Sequence, residues 1–289
     1  MTDSNRLPHA LYRATQVRHL DRLAIEEAGI PGIELMNRAG AAAYRLLRAH
    51  WPAARHLTVL AGVGSNGGDG YVVARLARAE GLPVRVLQLG EEERLRGEAA
   101  ASCAAYCNAG GTLEPFQDLP SDTDLIDDAL FGTGLERPVT GIWADATAAI
   151  NARQVPVLAI DLPSGLHADT GCVMGLAVRA SATITFIGLK QGLFVGDGPD
   201  YRGELHFDAL NIPSSVYARE TPALCRVDWA QQAGLLCPRP RTAHKGDCGH
   251  VLVIGGAPGM PGAVLLTGES ALRAGAGLVT IATHPDHAA

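Results

Sequence analysis

Lysine is nearly missing from this chain. Of its 24 basic residues only Lys190 and Lys245 are lysine; the rest are arginine. Where arginine dominates so strongly, a retained lysine hints at a place that needs a compact ammonium rather than a planar fork. Both lysines sit beside glycine, in Gly188-Leu189-Lys190-Gln191-Gly192 and His244-Lys245-Gly246. An excess of positive charge is also missing. The net charge of −6 argues against a nucleic-acid or anionic-membrane surface. No apolar run reaches the length of a membrane span, and residues 1–10 are polar, without the apolar centre of a signal peptide. Six cysteines (103, 107, 172, 225, 237 and 248) form no Cys-x-x-Cys pair, so neither a zinc site nor a disulfide framework is indicated. A soluble, cytoplasmic protein is expected.

What is present points to an enzyme-like core. At 289 residues with 47% apolar content, the chain can build one large domain or two ordinary ones. Residues 57–61 read as a buried strand. Five glycines follow between Gly62 and Gly70, and helical spacing resumes at Val72, Val73, Leu76 and Ala77. Such glycines let a backbone approach a ligand closely and leave helix N-terminal N–H groups facing a phosphate. Asn66 and Asp69 add side-chain oxygens that plain phosphate binding does not need. Gly62, Gly64 and Gly67 also spell Gly-x-Gly-x-x-Gly. The dinucleotide fingerprint, however, wants an acid at the tip of the next strand. That strand, 83–89, carries Gln88 there, and Glu91, Glu92 and Glu93 come later, at a helix start.

Strand and helix signals alternate along the chain. Amphipathic helices are predicted at 15–28, capped by Thr15 and stopped by Gly29, and from Pro31 to about 47. Then come strand 57–61, helix 69–80, strand 83–89, helix 92–109 and strand 112–116. Strand 123–131, helix 140–152 and strands 156–161, 182–187 and 203–208 follow. The alternation predicts an α/β fold, a doubly wound, mostly parallel sheet with helices on both faces, Rossmann-like. Beyond about Pro213 the pattern loosens through Pro222, Pro238 and Pro240. A new strand, 251–254, then enters Gly255-Gly256-Ala257-Pro258-Gly259, a helix to 274 and a strand at 278–282. About 40 residues cannot bury a core of their own. Two domains are therefore expected: 1–222, and 223–289 as the opening fragment of a second α/β domain of a longer parent.

In a doubly wound sheet ligands bind at the carboxyl ends of the strands. Those ends carry Asn66, Asp128, Asp161 and Ser164, with Lys190 after the strand at 182–187. Each alone reads as an ordinary turn or capping residue; four at successive strand ends point to a site. Oxygen donors without clustered Cys or His suit a hard cation rather than zinc.

The motifs Ser65-Asn66-Gly67-Gly68-Asp69-Gly70, Asp128-Ala129-Leu130-Phe131-Gly132-Thr133-Gly134, Asp161-Leu162-Pro163-Ser164-Gly165 and Thr185-Phe186-Ile187-Gly188-Leu189-Lys190 resemble the NAD(P)H-hydrate epimerase family. So do the stretches 15–21 and 35–40, and the resemblance covers about residues 11–215. Residues 244–280 resemble the start of an ADP- or ATP-dependent NAD(P)H-hydrate dehydratase, ribokinase-like in fold, which bacterial members often fuse behind the epimerase.

The resemblance implies repair of damaged nicotinamide cofactor. The substrates would be NADHX and NADPHX, with R and S hydrates interconverted here. A longer parent would dehydrate the S form with ADP or ATP. The resemblance assigns substrate binding to Ser65, Asn66, Gly67, Gly68 and Asp69 and to Gly132, Thr133, Gly134, Leu135, Glu136, Arg137 and Pro138, with Asp161. It assigns a potassium ion to Asn66, Asp128 and Ser164. Ser65 departs from the family's usual Asn at that position, which affects one local contact. The hydrate is a carbinolamine, so its epimerisation needs one carboxyl group that donates and then accepts a proton. Asp161 is the expected acid/base, with Asp69 next, and Lys190 would help anchor the diphosphate and ribose. A homo-oligomer is expected, and neither nucleic acid nor membrane as partner. Two other readings stand beside this one: an NAD(P)-binding oxidoreductase, and a non-catalytic interaction module of the same fold. The latter would be expected to lose the carboxylates that this chain keeps.

Overall fold

The computed structural model describes residues 7–227 and 229–287. The readings for residues 1–10 and 223–289 thus fall partly outside the described residues. Two compact units are present, one running to Val227 and the other from Asp228 onward.

The first unit opens with β1 (Ala10–Tyr12), α1 (Ala14–Glu26) and α2 (Gly32–His50). The alternation follows as β2 (Leu57–Ala61), α3 (Ser65–Ala79), β3 (Val84–Gln88), α4 (Gly97–Asn108), β4 (Leu113–Pro115), β5 (Leu125–Ala129), α5 (Ile142–Ala152), β6 (Val157–Ile160) and β7 (Ala182–Phe186). It closes with β8 (Leu189–Lys190), α6 (Gly198–Tyr201), β9 (Glu204–Asp208), α7 (Ser214–Tyr217) and β10 (Leu224–Cys225). Seven strands form one sheet in the order β4-β3-β2-β5-β6-β7-β9, every neighbouring pair parallel. The expected Rossmann-like parallel sheet is what the chain builds.

Continuous apolar runs suit strands covered on both faces. Leu57, Val59, Ala61 and Leu125 face the core shared with α1 to α4, while Leu60, Leu87, Ile126 and Leu130 face Ala146 and Ile150 of α5. A small sheet, β10-β1-β8, lies outside the main one, and its two- and three-residue strands carry no periodic signal. Among the described residues no helix is long and apolar enough to cross a membrane.

Helix α3 starts at Ser65, four residues before the sequence signal for it, so the Asn-Gly-Gly-Asp motif lies inside its first turns. Packing overrides the poor helix propensity of glycine there. A Cβ at Gly70 would lie 2.6 Å from the Cβ of Ala129, and one at Gly68 would lie 2.6 Å from Met36 Sδ and 3.1 Å from Ala99 Cα. These glycines let α3 seat directly on the sheet and between α2 and α4. Thr15 lies inside α1 rather than capping it; Arg13 holds the cap position, where its backbone N–H donates to Gln16 Oε1 at 3.0 Å. The single helix expected over 92–109 is a short 3-10 turn at Glu92–Arg94 followed by α4.

The second unit contains α8 (Trp229–Gln232), β11 (His250–Ile254), α9 (Gly262–Ala274) and β12 (Leu278–Ala282). Strands β11 and β12 pair in parallel, joined by α9, which makes one strand–helix–strand unit. Much of its apolar surface is open: Leu252, Ile254, Leu265 and Leu266 are exposed.

Candidate active site

A cavity of about 1020 Å³ opens above the carboxyl ends of β2, β5, β6 and β7, where a parallel sheet gathers its ligands. The start of α3 supplies Ser65, Asn66 and Asp69 to its lining. The loop after β5 supplies Gly132, Thr133, Gly134, Leu135, Arg137 and Pro138, and the ends of β6 and β8 supply Asp161 and Lys190. Five other expected residues do not line it. Glu136 faces solvent, and Gly67 and Gly68 are buried in packing contacts. Asp128 and Ser164 are wholly buried, so neither presents a side chain to the cavity.

Asp161 is aimed by its backbone. β6 ends at Ile160, Asp161 adopts φ 66°, and the Leu162 N–H closes a three-residue turn onto Ile160 C=O at 2.8 Å. A left-handed conformation in a non-glycine residue stores strain, and such strain gathers at functional sites. The next strand end repeats the device: Ile187 has φ 65°, and Gly188 N–H meets Phe186 C=O at 2.6 Å. Lys190 Nζ donates to Asp161 Oδ1, to Thr185 Oγ1 at 3.0 Å and to Phe186 C=O at 2.9 Å. Thr185 Oγ1 adds a donor to the same Asp161 oxygen at 3.2 Å. With Oδ1 thus occupied, Oδ2 is the oxygen beside Gly132, 3.4 Å from where that residue's Cβ would be; Asn66 Oδ1 is 3.5 Å from the same point. Both side-chain oxygens therefore lie beside the Gly132 backbone.

Lys190 is buried, and its ammonium is paired with Asp161 at the cavity wall. Besides Lys190, the cations that line the cavity are Arg18, Arg94 and Arg137, and Arg18 also ties α1 to the loop after β5, donating to Thr133 C=O at 3.3 Å. Trp143 closes one side, its ring 4.7 Å from that of Phe131.

A group of acids surrounds Asp161. Asp69 is buried, and burial first, then the Asp161 and Asp21 carboxylates, hold its carboxyl well above the usual range against the pull of Lys190. The pKa of Asp21 is raised too, by burial and then by Glu98. Asp21, Glu98 and Thr185 were not singled out as site residues. Asp21 and Glu98 come from helices α1 and α4, and no strand-end rule reaches them; Asp21 does stand in the polar run between Leu20 and Leu23 of α1.

Beneath the floor, Asp128 Oδ2 accepts from Ser164 N–H at 2.8 Å and Oδ1 from Leu130 N–H at 3.4 Å, while Ser164 Oγ accepts from Phe131 N–H at 2.9 Å. Burial pushes the Asp128 carboxyl up to about 6 despite these donors. Both polar atoms of the Asn66 amide are buried without any partner. Gln88, where a dinucleotide fold would place its ribose acid, accepts from Tyr71 OH and donates to Leu89 C=O at 3.1 Å, inside the core.

Residues 32–192 match the family described as YjeF-related protein N-terminus, more than half of the chain. The chain belongs to that family. It is 41% identical over 194 residues to an NAD(P)H-hydrate epimerase of Limosilactobacillus fermentum, covering 66% of this chain and 92% of that protein. It is 44% identical over 284 residues to the bifunctional NAD(P)H-hydrate repair enzyme Nnr of Escherichia coli, covering 98% of this chain and 55% of the relative. The Coxiella burnetii enzyme of the same name is 47% identical over 279 residues, covering 96% and 57%. The chain thus spans a little over half the length of the bifunctional relatives it matches. Residues 251–289 match the family described as NAD(P)H-hydrate dehydratase. A crystal structure of the yeast protein ynu0 shares the YjeF-related fold, with a TM-score of 0.63 at 19% identity over 72% of this chain and 92% of that one.

Proposed function

We propose that the first unit epimerises the R and S hydrates of NADH and NADPH. The observation that carries this reading is the placement of Asp161 Oδ2 and the unpartnered Asn66 amide beside Gly132 in one cavity, in a chain whose relatives bear the name of that activity. The hydroxyl-bearing carbon of the hydrate adjoins the ring nitrogen. Protonation of the hydroxyl lets the nitrogen lone pair expel it as water, breaking the C–O bond and leaving a planar iminium. Water adds to the other face, and its proton returns to the carboxylate that gave the first one. Asp161 Oδ2 is the proposed carrier, since Lys190 and Thr185 fix Oδ1 and so fix the orientation of the pair. One observation favours a second reading of the proton donor. Asp69 lines the same cavity, and burial, then the Asp161 carboxylate, raises its pKa, which favours the protonated form that a donor needs. A diphosphate would lie near the N–H groups that open α3, among Arg18, Arg94 and Arg137.

Asn66, Asp128 and Ser164 would hold potassium. The donor set fits: all oxygen, with an amide that has no protein partner and a buried carboxylate that no cationic side chain bonds. When bound, the ion would supply a fixed positive charge and favour the ionised form of Asp128. The second unit is proposed as the opening of a dehydratase domain, from its match at 251–289. A protein carrying the whole of that domain would also dehydrate the S hydrate with ADP or ATP.

Purified R hydrate is incubated with the protein and the epimers are separated by chromatography. Conversion well above the uncatalysed rate supports the assignment; an uncatalysed rate with folded protein removes it.

A further inference from the structure

At the other end of the sheet, away from the cavity, three side chains come together that no reading of the sequence linked. Helix α2 begins at the cavity, which Leu35 and Met36 line, and ends at His50. Glu204 and His206 stand two residues apart on edge strand β9 and so project to one face of it. Glu204 is the first residue of that strand, so the cluster lies at the amino end of β9. The Glu204 carboxylate is set between two imidazoles: Oε2 is 3.6 Å from His50 Nε2, and Oε1 is 3.3 Å from His206 Nε2. The two rings meet edge-on with centroids 4.8 Å apart, and one ligand atom from each residue lies within 4.8 Å of the other two.

We propose that His50, Glu204 and His206 form a binding site for a divalent transition-metal ion, zinc being the fitting choice. Two nitrogens and a carboxylate are a donor set that zinc accepts with a water as the fourth ligand. Zinc–nitrogen bonds near 2.0–2.1 Å put neighbouring ligands of a tetrahedron roughly 3.3 Å apart. The carboxylate-to-imidazole distances of 3.6 and 3.3 Å, one from each oxygen of Glu204, are close to that edge. With all three ligand atoms within 4.8 Å of one another, small side-chain rotations close the set to that size.

A second observation points the same way. His206 Nε2 is buried and has no hydrogen-bond partner, because the carboxylate at 3.3 Å lies outside bonding geometry. A buried ring nitrogen left without a partner is costly, and a cation would complete it. The carbonyl end of α2, with its negative partial charge, lies beside the site and favours a cation. No metal motif appears in the sequence because 154 residues separate His50 from Glu204. Bound metal would pin the end of α2 to the edge strand.

The test uses the whole chain, stripped of metal by a chelator and with accessible cysteines alkylated. Zinc is titrated against a chromogenic chelator, for wild type and for His50→Asn and Glu204→Gln, whose exposed side chains can change without loss of folding. The inference expects one zinc per chain more in wild type than in either variant, and a zinc-dependent rise in melting temperature in wild type alone. Histidine-resolved NMR should show the His50 and His206 ring signals moving together at one equivalent. Equal zinc uptake by all three proteins would overturn the assignment, as would shifts confined to other histidines.

Discussion

Replacing Lys190 with Met tests the organisation of the cavity more sharply than removing any acid. The ammonium is buried and donates to Asp161, Thr185 Oγ1 and Phe186 C=O. Methionine fills nearly the same volume but carries no charge and no donor. Breaking one half of a buried ion pair typically costs about 3–5 kcal/mol, because the remaining charge stays behind without its partner. Here the low end applies. The Asp161 side chain is 15% exposed, so water can reach it in part, and Thr185 still donates to Oδ1 at 3.2 Å. A loss of about 3 kcal/mol corresponds to a fall in melting temperature of about 6–12 °C for a domain of this size. Urea and thermal unfolding of Lys190→Met measure it directly. The double variant Lys190→Met/Asp161→Asn separates charge from shape. If an uncompensated carboxylate is the cause, neutralising it should restore about half of the loss or more, since a neutral replacement of a whole buried pair is often close to isoenergetic. A single variant within about 1 kcal/mol of wild type, or a double variant less stable than the single, would refute the reasoning.

Three other outcomes are expected. Asp161→Asn should lower epimerisation about 10²–10⁴-fold while substrate binding persists; if Asp69→Asn is the more damaging change in the chromatographic assay, the donor is Asp69. Gly40→Ala should cost about 1–3 kcal/mol in urea unfolding, because the new methyl would meet Val72 Cγ1 at 2.6 Å and Asp69 C=O at 2.9 Å and push α2 from α3. Asp127 is wholly buried with neither carboxylate oxygen bonded, and burial, then Asp128, holds its pKa well above the ordinary 3.8. The folded state thus keeps a proton that the unfolded chain releases above about pH 4, so this residue subtracts stability as pH rises from there. Asp127→Val removes that term, and its unfolding midpoint should gain on wild type between pH 4 and pH 8, by about 1–3 kcal/mol at the upper end.

The parallel sheet was legible because its strands are short, largely apolar runs that alternate with helical spacing. Leu57 to Ala61 and Ala182 to Phe186 have few other ways to be buried. The same rule marked the strand ends, and the fold brings Asn66, Asp161 and Lys190 to one cavity. Two parts of the site were not legible. The first turns of α3 read as loop, because the glycines that lower helix propensity are there for contacts with Met36, Ala99 and Ala129, known only once the helices are packed. Asp21 and Glu98 reach the cavity from α1 and α4 across the top of the sheet, a placement set by helix packing rather than by spacing. The pairing of Lys190 was illegible for the same reason: sequence places an ammonium near the strand ends, but only the turn at Asp161 brings the carboxylate to it.

The most direct test of the proposed chemistry is epimerisation in heavy-oxygen water, with mass detection of the separated epimers. Expulsion and re-addition of water at the carbinolamine carbon predicts that every inverted molecule carries solvent oxygen, and that Asp161→Asn slows label entry and inversion together. Inversion with the original oxygen retained would contradict the account, as would a wild-type chain that neither inverts nor labels the hydrate faster than buffer.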